Sequence, residues 1–466
     1  MTSIRILALG ATAFCAACAT STIEPTLDQS LPESYVTNLP AEDTTLSYAD
    51  WWLGFNDPVL TELVDRAQEN NISVAQALLQ TDIAQLQRDA SQSDLLPTLD
   101  AFVNNQLSGV ITSGFDGNFT GSTGIGGTFD PDLNGQTAAR IASVQAALES
   151  SALNANDVRR LITRAIALQY IEFRRASARL ALLESTLELQ ERTLQIVESR
   201  YRAGLSPKLD VDRTQADYAR TAAQRSQIIA ARRQAEFEIQ RLMGEPSALD
   251  QITNPDRETI PQIQFVSDIG IPADLVRRRP DVRAAEADYR SALALIDTER
   301  ADLLPSIRIP GQIQAGFGDV SGRSDEIGYS LSALIDIPVF DFGRRQAEVD
   351  IQIARTELAA LTYRATLLDA LQEVEIALVN IEAIQETLEG QLRAVEASQA
   401  AYDQLDALYR EGLASFIDVL DSQRTLISSR ETIVQTEANL AAATVSLLAA
   451  LDAGCDETGI VACEGE

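Results

Sequence analysis

The strongest constraint on this chain is that it repeats itself. Asp94-Leu95-Leu96-Pro97 returns as Asp302-Leu303-Leu304-Pro305, an offset of 208 residues. Gly135 returns as Gly343, and Tyr201-Arg202-Ala203-Gly204-Leu205 as Tyr409-Arg410-Glu411-Gly412-Leu413, at the same spacing. Asp210-Val211 maps onto Asp418-Val419 and Gln215 onto Gln423. Blocks spread this widely and holding one offset mark a duplication, which must be settled before any fold is chosen. The copies span roughly 58–248 and 266–456, each ordered helix, strand pair, long helix, helix. A linker rich in Pro, Ile and Asp covers 249–265, and a tail covers 457–466.

The long helices announce their contacts through their period. Val374, Ile381, Leu388, Val395, Tyr402 and Tyr409 fall seven apart, and Leu180, Leu187, Leu194 and Tyr201 do so in the same phase of the first copy. A seven-residue repeat is the seam of a supercoiled helix contact. Residues 136–203 and 344–411 hold no proline and no glycine except Gly390. About 68 residues at ~1.5 Å each predict rods of roughly 100 Å. Gly204 and Gly412 end them as helix-terminating glycines, and the chain returns, giving helical hairpins over 136–243 and 344–451.

Between the helices lie β-like runs, about 98–131 and 306–338. Ile307, Ile309, Ile313, Ala315 and Phe317 alternate with polar residues, as do Tyr329, Leu331, Ala333, Ile335 and Ile337. Strands with one apolar and one polar face fit an outer-membrane barrel, although a soluble sandwich pair reads similarly. Four strands per chain cannot close alone, and open edges are not tolerated in lipid, so a barrel requires several chains.

Composition removes whole classes of function. The net charge is −31, with 68 acidic against 37 basic residues, which argues against nucleic acid as a partner. There is no histidine, which removes Ser-His-Asp and Cys-His catalysis and His-ligated zinc. Aromatics make up only 5%, few for a stacked cofactor. Neither an enzyme nor a cofactor or metal site is expected.

The first residues read as an export signal: a basic start at 1–5, an apolar run at 6–14, then Cys15-Ala16-Ala17-Cys18. The run is too short to span a bilayer. Its small-small-Cys ending resembles a bacterial lipoprotein signal over 1–17, with Cys18 acylated and Cys15 standing where Leu is usual. The alternative is an ordinary cleaved signal. Ala19 favours outer-membrane sorting, and residues 18–57 form an N-terminal periplasmic segment. Export favours a local Cys455–Cys463 disulfide over a metal site made of two thiols.

Three motifs carry a family resemblance: Trp51-Trp52, Phe55 and Asp57-Pro58; Leu275 with Arg278-Arg279-Pro280-Asp281-Val282-Arg283; and Gly412 followed by Asp418-Val419-Leu420-Asp421. Over nearly the whole mature chain the sequence resembles the outer-membrane efflux proteins of the TolC and OprM type, in their lipoprotein, NodT-like branch. The resemblance implies a homotrimer whose four strands per chain form one twelve-stranded barrel in outer-membrane lipid. It implies also that the helices form a periplasmic α-barrel of near-sixfold symmetry. A periplasmic adaptor protein and an inner-membrane pump are the implied partners, the adaptor meeting the tips Gly204-Leu205 and Gly412-Leu413. The tip motif makes Asp210, Asp418 and Asp421 candidates for an acidic gate lining; as isolated carboxylates they read as a solvated face. Rings of acid select cations. Acid/base use of the pair, as in glycosidases, lacks the sugar-stacking aromatics. Ala414 stands where some relatives carry a basic latch residue, leaving Arg202, Arg410 or Arg213 for that role. The reading is an exit duct of a tripartite efflux system. The alternatives are a type I protein-secretion duct and a lipid-anchored coiled-coil scaffold without a pore.

Overall fold

A computed structural model describes residues 50–110, 116–246, 259–263, 277–318 and 327–451. Cys18, Cys455 and Cys463 lie outside the described residues. A 3-10 turn (Trp51–Phe55) precedes α1 (Pro58–Asn70) and α2 (Ile72–Ser93). The hairpin β1 (Thr98–Val110) and β2 (Asp116–Phe129) leads to α3 (Gln136–Arg202) and α4 (Lys208–Met243). The second copy holds α5 (Pro280–Ala301), β3 (Ser306–Gly318), β4 (Ile327–Leu331), β5 (Leu334–Asp336), α6 (Arg344–Arg410) and α7 (Phe416–Leu451). α5, α6 and α7 begin and end 208 residues after α2, α3 and α4.

The two 67-residue helices start and stop on the same local devices. Gly135 (φ 75°) and Gly343 (φ 84°) turn the chain in the left-handed region before α3 and α6. Asp132 then accepts from the N–H groups of Thr137 and Ala138, and Asp341 from those of Gly343 and Arg345, satisfying donors that a helix start leaves unpaired. At the far ends Gly204 (φ 73°) and Gly412 (φ 80°) close Schellman motifs. There the N–H of Leu205 donates to Arg200 O and that of Leu413 to Leu408 O, both at 2.8 Å. A Cβ added at Gly204 or Gly412 meets nothing within 4 Å, so backbone conformation alone demands glycine.

On α6 the seven-residue series is buried at Val374, Ile381, Tyr402 and Tyr409. On α3 the equivalent series is not the seam. Leu180, Leu187 and Leu194 are half-buried and Tyr201 is exposed, while Leu183, Thr186, Gln190, Thr193 and Val197 are buried. The cause is the neighbourhood of α3, which packs against α1, α2, α4, α5 and α7, whereas α6 packs against α5 and α7. The helices therefore lie side by side as α2–α3–α5–α6 near the sheet and as α4–α3–α7–α6 towards the tips.

The strands form one antiparallel sheet ordered β1-β2-β3-β4, with β5 also on β3. β4 and β5 continue one register against β3 and count as a single strand broken opposite Pro310. Proline has no N–H to return, so Ser332 donates to Pro310 O at 3.1 Å and the reciprocal bond is missing. Cross-strand partners share a face: Leu99, Val103 and Leu107 on β1, Ile125 on β2, Ile313 on β3, Tyr329 and Leu331 on β4. All of these are exposed. The other face carries Asn104, Gln106, Ser122, Gln312, Gln314 and Ser330.

The largest core lies where α1 crosses α3, α4 and α7. Trp51, Leu60, Leu63, Val64 and Ala67 meet Ile166, Tyr170, Ile239, Met243 and Val445 there. Trp51, Trp52 and Phe55 form edge-on aromatic contacts, as packing residues at the first helix should. α7 is long and apolar enough to cross a membrane, but 56% of its apolar window is buried against protein. That burial makes it a core helix.

Candidate functional site

The two hairpin tips are sewn together by side chains from both copies. Arg200 on α3 donates to Tyr409 O at 3.1 Å and lies 4.6 Å over the Tyr409 ring. That ring touches Phe416 (5.5 Å) within a small core that also holds Val197, Tyr402, Val419 and Leu426. Gln423 reaches Thr193 at 3.4 Å. Leu205 and Leu413 stay outside this core, exposed at the turns.

The three acids singled out from the sequence are not equivalent. Asp210 and Asp418 occupy the first turns of α4 and α7, where the positive end of the helix favours a carboxylate. Asp210 is half-buried and Asp418 exposed. Neither side chain has an ion pair or hydrogen bond among the described residues. Asp421 is joined to Arg424 at 3.5 Å, and Arg424 binds Asp217 of the other hairpin through Nη2 at 2.7 Å and Nε at 3.1 Å. Arg220 adds a 2.9 Å bond to the nearly buried Asp217. The hydrogen bonds and charge of Asp217, offset only in part by burial, hold the Arg424 guanidinium firmly protonated.

Arg202 pairs with Glu198 and Arg410 with Asp406, each within its own helix, and no ion pair of Arg213 is seen among the described residues. Arg424 instead forms an ion pair across the two hairpins near their tips, with Asp217. Neither member of the pair is duplicated, since Asp217 corresponds to Thr425 and Arg424 to Ala216. A search for repeated residues therefore passes over both.

A second polar cluster ties the waist. Arg279, 3% exposed, precedes Pro280 at the start of α5. It donates to both oxygens of Asp281 (3.1 and 2.8 Å), to Glu373 Oε2 (3.1 Å) and to Ala450 O (3.2 Å). Arg160 binds Asp157 and Ala449 O at 2.8 and 2.9 Å, and Arg164 binds Glu373 Oε1 at 2.7 Å. Two guanidiniums thus satisfy carbonyls that the end of α7 leaves unpaired. Burial opposes ionisation of Asp281, but the bonds and charge of Arg279, with Arg160 nearby, hold its carboxyl below its ordinary value of 3.8. Burial pushes the Asp157 carboxyl up despite its bond from Arg160. Nearby, Tyr170 donates to Asp57 at 2.7 Å and Arg174 donates to Tyr170 at 2.9 Å, which accounts for Asp57 beside its role as N-cap of α1.

Paired helical hairpins carrying a sheet with one exposed apolar face and two open edges define a membrane-embedded duct component. The family model described as "Outer membrane efflux protein" matches residues 63–245 and 271–453, two stretches that are themselves 208 apart at both ends. The chain belongs to that family, and it is an outer-membrane exit duct of a tripartite efflux system. The family is one of channels and not of enzymes, and its members sit in the outer membrane and extend into the periplasm.

The chain is 28% identical over 386 residues to Nodulation protein T of Rhizobium leguminosarum bv. trifolii, covering 80% of this chain and 81% of the relative. It is 27% identical over 387 residues to the pyoverdine export outer membrane protein OpmQ of Pseudomonas aeruginosa, with 80% and 81% covered. Among solved structures, the outer-membrane channel OprN superposes with a TM-score of 0.82 at 27% identity, over 92% of this chain and 98% of that one.

Proposed function

We propose that three copies close one duct. The observation that carries this reading is the sheet: an apolar face without cover and unpaired edges on β1 and β4 are stable in lipid only when the edges are paired. Three chains bring twelve strands to one barrel, and the helices continue it as an α-barrel into the periplasm. Acylated Cys18 anchors each chain, and a disulfide between Cys455 and Cys463 closes the tail.

The tips Gly204-Leu205 and Gly412-Leu413 dock the periplasmic adaptor, through which the inner-membrane pump feeds the duct. Their exposed leucines supply apolar area for another hairpin, and their positive-φ glycines fix the turn. The Asp217–Arg424 bridge latches the two hairpins in the resting state. Asp210, Asp418 and Asp421 supply the acidic lining beside it. Light scattering of detergent-extracted protein should return a trimer, and planar bilayers should show single-channel conductance. A folded monomer, or a trimer that conducts nothing, would overturn the reading.

A further inference from the structure

One heptad from the Asp217–Arg424 bridge, the same two helices frame a recess. Gln224 follows Asp217 by seven residues on α4, and Glu431 follows Arg424 by seven on α7, about 10 Å further from the tips. Here the space between α4 and α7, over α3, has a volume of about 240 Å³. Arg175 and Arg179 of α3 form its floor, Gln224, Gln227 and Ile228 of α4 one wall, and Glu431 of α7 the other. Arg179 comes nine residues after Tyr170, about two and a half turns. It therefore points away from the face of α3 that Tyr170 turns to Asp57 and α1.

Two opposite charges line this recess without meeting. Arg179 and Glu431 are both half-buried, and neither has an ion pair or hydrogen bond among the described residues. Arg175 is already engaged, since its Nε donates to Glu172 at 2.8 Å and its Nη1 to Gln435. The positions equivalent to Arg179 and Glu431 in the other copy are Thr387 and Ala223. Packing of the duplicated helices therefore requires neither charge.

We infer that the recess binds a small zwitterion, an amino-acid-sized molecule with one carboxylate, one ammonium and a short apolar side chain. The Arg179 fork takes the carboxylate through paired hydrogen bonds, and the Glu431 carboxylate takes the ammonium. The buried Ile228 meets the side chain, and the amides of Gln224 and Gln227 serve either end. A simple anion would leave Glu431 shielded from water without a partner, and a simple cation would do the same to Arg179. A molecule carrying both charges avoids that penalty. The recess is smaller than the ~300–1,000 Å³ of sites for drug-sized ligands, which sets the size of the occupant.

A molecule held by α3 at one end and α7 at the other ties together the two hairpins that the Asp217–Arg424 bridge ties. Binding should therefore favour the resting tip, a consequence that rests on the latch reading above.

The test is calorimetry on the detergent-extracted full chain with three probes: leucine, isopentylamine, which lacks the carboxylate, and isocaproate, which lacks the ammonium. Leucine should bind about tenfold or more tightly than either, the worth of one charge-assisted bond. Arg179→Gln should lower leucine to the level of isopentylamine, Glu431→Gln should lower it to that of isocaproate, and Arg179→Lys should restore part of the loss. Equal binding of the three probes, or no binding at millimolar concentration, would overturn the site. Melting without ligand is a second check, and both Gln variants should keep the wild-type midpoint. If each lowers it and the double variant lowers it no further, the two charges bind each other and the recess is no site. In planar bilayers leucine should make openings rarer in the wild type and have no effect on Arg179→Gln. Binding with openings unchanged would remove the link to closure while the site stands. The recess is walled by one chain, so failure of leucine to bind a conducting trimer overturns the site and leaves the duct reading intact.

Discussion

Asn71 and Arg279 hold equivalent places in the two copies and do one job with different chemistry. Asn71 accepts from the N–H groups of Ser73 and Val74 and donates to Leu242 O, near the end of α4. Arg279, 208 positions later, donates to Ala450 O, the equivalent carbonyl of α7. The backbone demand is common: a helix end offers carbonyls without partners, and a donor must reach them. A neutral amide closes the first site without further cost. A guanidinium closes the second only because Asp281 and Glu373 neutralise it, which draws α5, α6 and, through Arg164 and Arg160, α3 into one network. Duplication preserves what the backbone requires and lets side chains diverge where the two copies meet different neighbours.

The largest expected effect separates these two caps. Arg279→Ala leaves Glu373 to Arg164 and Asp281 to the more distant Arg160 and strands the Ala450 carbonyl, and should cost about 3 kcal/mol, the lower end for breaking a buried pair. Asn71→Ala should cost about 1–2 kcal/mol, as loss of an N-cap does. Unfolding followed by helical circular dichroism checks the order, and equal costs would mean that the waist network is not held together by Arg279.

The network should also show in acid. The folded-state pKa of Asp281 is depressed, so its stabilisation is fully present above its ordinary value of 3.8 and is lost as pH falls through the lower folded value. Asp281→Asn should therefore destabilise near neutral pH and lose its effect in strong acid. Asp157 runs the other way: its raised pKa means the ionised form weakens the fold, so Asp157→Asn should be neutral or stabilising at neutral pH. Unfolding midpoints of both variants between about pH 3 and pH 7 test the opposite signs.

A smaller effect distinguishes the tips. Asp217 and Arg424 belong to one copy each, so the bridge is asymmetric. Asp217→Asn or Arg424→Ala should loosen the resting tip by about 1–3 kcal/mol, the range for a charge-assisted bond. More frequent openings in bilayer recordings, with trimer stability intact, are the expected outcome. Gating unchanged in both variants would return the latch to other residues.

Much of this fold is legible in the sequence because its signals are local. Gly135, Gly204, Gly343 and Gly412 mark the helix boundaries through backbone conformation alone, and all four lie at positive φ. The alternation of Ile307 to Ile337 fixes which face of the sheet is apolar. The seam of α3 is not legible, because a heptad gives a period and not the neighbour that covers it. Leu194 and Tyr201 follow the series, yet the first is only half-buried and the second exposed. The Asp217–Arg424 bridge is hidden for a related reason: both are single charged residues on helices rich in charge, and only packing shows that one is nearly buried against the other. Arg279 was visible as a motif, but its target, a carbonyl 171 residues away, was not.

The least stabilising residues should have the clearest effect on transport. Asp418 and Asp421 are exposed; removing the first-turn Asp418 should change stability by about 0.3–1 kcal/mol, and the exposed Asp421–Arg424 pair by about 0–1 kcal/mol. In the proposed trimer, however, three chains would set these carboxylates and Asp210 around one axis, where like charges oppose one another and draw cations. Replacing Asp418 and Asp421 together by Ala should lower cation selectivity and weaken block by divalent cations from the periplasmic side. Asp210→Ala, in the other copy, should add to the same loss if the two tips line one opening. Reversal potentials under a salt gradient measure this directly. Wild-type selectivity in the triple variant would make all three acids helix-end residues on a solvated face, leaving the Asp217–Arg424 bridge as the tip's one functional pair.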